Sequence, residues 1–172
     1  MKVVTFEWEN YAPPSNNEIR HMNSFVYRRL VKMLRESIVV QHGEGPWPKV
    51  VFKKGDYPAH VRAKVIEDVK KTWKPKRKVF AEFLIRRKRR FDGDNNHGGF
   101  KPLIDAIARS GWLVDDFVKW FEIVSIIQTN GDPKSIVTLH IPEDHLEEAA
   151  LEERMKRLNE QRRLSNCSTG CR

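Results

Sequence analysis

Apolar and polar positions alternate from Lys2 to Trp8 (KVVTFEW), the period-two pattern of a strand with one buried face, and the prolines of Tyr11–Asn17 (YAPPSNN) end it. From Ile19 the spacing changes to three and four. Met22, Phe25, Val26, Leu30, Met33, Leu34 and Ile38 recur on one side while Arg20, Arg28, Arg29, Lys32 and Arg35 tend to the other, which predicts one amphipathic helix with a basic face. His42–Pro48 (HGEGPWP) reads as loop, and a weaker helix is expected from about Pro58, in its first turn, to Trp73, ended by Pro75. Lys78–Ile85 (KVFAEFLI) is dense in β-branched and aromatic residues, as a central strand requires. Lys101–Ser110 predicts a helix with Pro102 in its first turn and Gly111 just past its end, burying Leu103, Ile104 and Ile107. Val118–Gln128 and Ser135–Ile141 are two further strands, and the Asn130-Gly131 pair between them is a hairpin signal.

These elements predict an α+β fold, a mixed and largely antiparallel sheet packed with helices, in one domain over residues 1–141. After Pro142 the pattern thins. Glu143–Glu153 is acid-rich, Arg154–Arg163 base-rich, and Leu146, Leu151, Met155 and Leu158 supply a narrow apolar line. A charged helical tail over residues 142–172, lying on the surface and disordered from Ser165 to Arg172, is the expectation, and its acid-before-base order suits the helix macrodipole.

Composition narrows the partners. At 172 residues and 20.2 kDa the chain has room for one core. A formal charge of +9 and a pI near 9.7 favour a polyanion, and a mean hydropathy of −0.61 with no apolar run near the ~18 residues of a span argues against a membrane. With no signal-like apolar segment at its start, the chain is expected to be cytoplasmic. The two cysteines, Cys167 and Cys171, stand in the polar tail, where they cannot staple a core, and their spacing lacks the histidines of a zinc site.

The charge is concentrated. Between Lys70 and Arg90 there are eleven Lys and Arg residues against Glu82 alone, so this stretch holds more than the whole chain's surplus. It brackets the expected central strand, which would fix Lys76, Arg77, Arg86, Arg87, Lys88, Arg89 and Arg90 at the ends of a rigid element. Phosphate contact follows more naturally than a flexible arm, with affinity that falls steeply as salt rises.

Directly after it, Asp92 and Asp94 stand two apart in a Gly- and Asn-rich turn, and Asp115-Asp116 follow the next helix. Carboxylates beside so many cations read first as charge balance. Short oxygen ligands without hydrophobic partners are also what Mg²⁺ takes, usually with waters and a substrate phosphate completing its shell. His97 has no second histidine at ligand spacing and reads as a surface residue or phosphate contact. Gly98-Gly99 before a helix can present N–H groups to a phosphate.

At these residues the sequence resembles the RusA family of Holliday junction resolvases. The likeness rests on Pro13-Pro14-Ser15-Asn16-Asn17 after the first strand, on Asp92-x-Asp94-Asn95 followed by a lysine and then Asp105-Ala106, and on Gly111 leading into Asp115-Asp116, with Asp105 and Asp116 eleven residues apart. It spans most of residues 3–141. It implies a RusA-like fold and a homodimeric, Mg²⁺-dependent endonuclease, with Mn²⁺ an alternative ion, that nicks four-way DNA junctions symmetrically in recombination and repair. It further implies a bacterial or phage-encoded protein. Carried over residue by residue, Asp92, Asp94 and Asp116 would be the metal-binding carboxylates and Lys101 the essential basic residue, with Asn95 shaping the loop on the DNA side and Asp115 behind the ligands. In the family the lysine follows the Asp-Asn pair by about three residues, whereas Asn96–Phe100 intervene here. The stretch 41–77 is also longer than in compact members, and the charged tail has no counterpart in them.

Two other readings stand beside this one. A non-catalytic nucleic-acid-binding protein would use the same cations, its carboxylates only balancing charge. A nuclease acting on flaps, forks or other branched DNA would use the same site with a different spacing between paired sites.

Overall fold

The computed structural model describes residues 1–47, 58, 60–61, 64, 67, 77–88, 98–113 and 120–168. Their fold is mixed α+β. Strand β1 (Lys2–Glu9) leads through the Pro13-Pro14 segment into α1 (Asn16–His21) and α2 (Ser24–His42). Then come β2 (Val79–Arg87), α3 (Lys101–Arg109), β3 (Phe121–Asn130), β4 (Lys134–Ile141) and α4 (His145–Ser168). In the stretch expected to be helical from Pro58, the described residues His60, Val61, Lys64 and Glu67 are helical, and the Val61 N–H donates to the Pro58 carbonyl at 3.0 Å.

The sheet runs β1-β4-β2-β3. β4 is antiparallel to both β1 and β2, and β2 is parallel to β3, so two of the three pairings are antiparallel. The hairpin expected from Asn130-Gly131 does not form, because β2 lies between β3 and β4. β2 has six buried positions out of nine and takes the interior of the sheet, which displaces the local pairing. Residues 131–133 therefore step over the end of β2, across two strand spacings of about 4.8 Å each. Gly131 makes this step possible. Its N–H donates to the Arg87 carbonyl at 3.2 Å, its φ is +147°, and a Cβ there would lie 2.6 Å from the Arg86 Cδ.

The single helix expected from Ile19 is two. Ser15 caps α1 in a reciprocal capping box with Glu18, the Met22 N–H closes that helix on Ile19, and Asn23 starts the next by accepting from the Phe25 N–H at 2.8 Å. Nor does the expected apolar stripe all face inward. Val31, Leu34 and Ile38 are buried, while Phe25, Val26 and Met33 are exposed.

The main core lies between one sheet face and the α2–α3 pair. Phe6, Phe83, Ile85 and Leu139 meet Leu34, Ile38, Leu103 and Ile107 there, all at most 1% exposed. A smaller cluster on the other face packs Leu151 and Met155 of α4 against Phe80 and Val124, with Leu158 at its edge. The tail helix is thus docked on the sheet through its apolar line, apart from Leu146 at its start, which is exposed. Its backbone is helical through Ser168, past the point where disorder was expected to begin. Lys78 bolts it down: its Nζ reaches Glu122 at 2.9 Å and Glu152 at 3.3 Å, and its N–H donates to Glu148. Among the described residues no helix is long and apolar enough to cross a membrane.

Candidate functional site

The start of α3 is anchored on the middle of β2. Phe100, fully buried, fixes the start of α3 by stacking on Phe83 of β2 with ring centroids 4.8 Å apart. Gly98 and Gly99 lie against the Pro13–Asn16 segment so closely that added Cβ atoms would come within 2.1 Å of the Asn16 Oδ1 and 2.2 Å of the Pro14 carbonyl oxygen. The Pro13–Asn16 segment is therefore in contact with the residues just before α3, although more than 80 residues separate them.

Lys101 opens α3 in an unfavourable place for a cation. The helix has Pro102 in its first turn, no acidic residue there, and no side chain capping its first N–H groups, so a positive charge sits at the positive end of the dipole. It is held by Asp105 one turn on, at 2.7 Å, with Lys101 half exposed and Asp105 mostly covered. The other oxygen of Asp105 accepts from the Tyr27 hydroxyl of α2 at 2.7 Å. Tyr27, Asp105 and Lys101 thus form a chain from the α2–α3 interface out to solvent. The Lys101 ammonium is thus the exposed charge at the start of α3, while Gly99, Phe100, Pro102 and Leu103 around it are buried. Sequence reading missed Tyr27. Its signal was a tyrosine four residues before Val31, in line with the buried stripe of α2, whose hydroxyl needs a partner when the ring is covered.

The cations of β2 divide by the two-residue period of the strand. Arg86 and Lys88 are exposed, whereas Arg87 is turned to the core side and only 5% exposed. Burial lowers the pKa of Arg87, against the raising influence of Glu18 and Tyr11, and burial raises that of Tyr11 in spite of Arg87. Glu18 is held below the usual carboxylate range by the Ser15 N–H and hydroxyl. Arg87 therefore belongs to the packing under the Pro13-Pro14 segment, and Arg86 and Lys88 are the exposed cations on the described part of this strand end. Arg77 stands half-buried at the opposite end of β2.

Asp92, Asp94, Asn95, Asp116, Lys76, Arg89 and Arg90 lie outside the described residues, as do His97 and Asp115. Among the described residues no three His, Cys, Asp or Glu side chains gather as a metal site. The described neighbours fix where the acidic segments attach. Residues 89–97 join Lys88 to Gly98 at the carboxyl end of β2, and 114–119 join Leu113 to Trp120, whose carbonyl accepts from Val79 at the amino end of β2. No protein-family model matches the chain, and comparison with curated proteins also finds no match.

Proposed function

We propose that this chain is a structure-selective, Mg²⁺-dependent DNA endonuclease that resolves four-way junctions as a homodimer, as its resemblance to the RusA family implies. The observation that carries the reading is the junction of β2 and α3. There the Pro13–Asn16 segment packs on Gly98-Gly99, and Lys101 stands tethered at an uncapped helix end with exposed Arg86 and Lys88 on the adjoining strand.

Asp92, Asp94 and Asp116 would hold the ion. Their hard, short carboxylates suit Mg²⁺, and no soft ligand accompanies them. When bound, such an ion supplies a lowered pKa for attacking water and charge neutralisation at the scissile phosphate. The chain's own groups do the rest. Arg86 and Lys88 draw the backbone in, and the Lys101 ammonium neutralises charge developing on the departing oxygen. Asp105 and Tyr27 keep that ammonium from swinging away.

The test is cleavage of a synthetic four-way junction in Mg²⁺. Paired nicks that vanish in Asp94→Asn, with junction binding retained, are the expected result. Binding that survives chelation, with no cleavage by the unaltered protein, points instead to a non-catalytic binder, and preferential cutting of flaps or forks moves the substrate but keeps the chemistry.

A further inference from the structure

Helix α2 carries two apolar stripes, and only one of them meets the core. Val31, Leu34 and Ile38 are fully buried. At 100° per residue the opposite side bears Phe25, Val26, Met33 and Val40, exposed by 71%, 51%, 51% and 86%. Shallow grooves run along this side, lined by Val26, Arg29, Met33 and Glu36 and, beside them, by Phe25 and Lys32. Val26, Arg29, Met33, Glu36 and Val40 step alternately by three and four residues, the spacing of a coiled-coil seam. Its two charged positions are opposite in sign and lie on either side of Met33.

We propose that a second copy of the chain packs on this face, its α2 antiparallel to the first and the twofold axis beside Met33. A twofold interface must complement itself. With that axis, Met33 meets its own mate, Val26 meets Val40 of the other copy, and Arg29 comes within one residue's rise of the other Glu36, twice over. A parallel pair would set Arg29 against Arg29 and Glu36 against Glu36, so the charges choose the orientation. The present partner of Glu36 is Lys32 at 3.7 Å, an exposed pair that exchanges at little cost. A lipid surface fits less well, because Glu36 stands in the middle of the apolar stripe. The inference names the face and orientation of the dimer that the resolvase reading expects, but its argument rests on α2 alone.

Sedimentation velocity of the full chain over roughly 1–100 µM, the range of weak to moderate self-association, is the measurement. A reversible dimer is expected. Arg29→Glu or Glu36→Arg alone should weaken it about tenfold or more, since each sets like charges face to face, and the double reversal should restore it. Met33→Lys should leave a monomer. All three side chains are exposed, so far-ultraviolet circular dichroism should show an unchanged fold. An unaltered chain that stays monomeric overturns the proposal, as does a dimer indifferent to the single reversals, or a monomer that instead partitions onto anionic vesicles through this face. Cleavage is a separate readout: a dimer that cuts no junction counts against the nuclease reading only, and a dimer that makes paired nicks but is indifferent to Arg29→Glu and Glu36→Arg counts against this face only.

Discussion

A methyl group on Gly99 would press on the Pro14 carbonyl oxygen at 2.2 Å, a backbone contact that no side-chain rotation relieves. On Gly98 it would press on the Asn16 side chain. Gly99→Ala is therefore expected to cost about 1–3 kcal/mol in chemical denaturation, the usual range for overpacking, and to cut cleavage with it. Gly98→Ala should be rescued in part by Asn16→Gly, whereas no substitution at Pro14 removes the carbonyl that Gly99→Ala meets. Equal rescue of both would show that this packing does not constrain the site. One turn further on, Tyr27→Phe removes the hydroxyl that anchors Asp105. A hydrogen bond to a charged group is worth about 1.5–3 kcal/mol, so the melting temperature should fall. Turnover should fall too, with junction affinity little changed, because Lys101 loses the group that aims it. A variant that melts lower yet turns over normally would place Tyr27 in the packing alone.

Among the elements, α4 depends on a single cation most visibly. Burial works to lower the pKa of Lys78, but hydrogen bonds and charge from Glu122 and Glu152 outweigh it, and the net shift is upward. A group whose folded pKa is raised contributes stability in full below its unfolded value and loses it as pH rises through the folded one. Hydrogen exchange of α4 should therefore quicken above about pH 10.5, the ordinary lysine value, and Lys78→Met should lack that alkaline step while exchanging faster at neutral pH. An alkaline step that persists in the variant would assign the effect to another group. The same strand shows what patterning discloses. β2 and α3 were legible to within two residues, because a dense β-branched run and a Pro-to-Gly helix frame are local signals. Strand order was not, since Asn130-Gly131 reports a turn but not that the more buried β2 competes for the space inside it. The break at Met22-Asn23 carried an ordinary capping signal inside an apolar repeat that ran straight through it. Of the candidate site, Lys101 and its helix were visible as sequence, while the Tyr27 anchor came from a contact with Asp105 across 78 residues that no spacing rule encodes.

For the whole molecule, the carboxylates proposed to share one ion face a geometric demand. Residues 89–97 leave from the carboxyl end of β2, and 114–119 return at its amino end, about 26 Å away at 3.3 Å per residue. Helix α3, about 14 Å long, covers only part of that distance. A common coordination sphere for Asp92, Asp94 and Asp116 therefore has the rest of that distance to bridge. Residues that act as one unit fail together. If the three share an ion, Asp94→Asn and Asp116→Asn should each abolish Mg²⁺-dependent cleavage, and the double variant should be no worse than either, with titration calorimetry showing weakened Mg²⁺ binding in both single variants. Independent losses that multiply in the double variant, or Mg²⁺ binding weakened by only one of the two, would mean that the acidic segments serve separate sites at opposite ends of the sheet. In that case Lys101, which follows the 89–97 segment, should couple to Asp94 but not to Asp116.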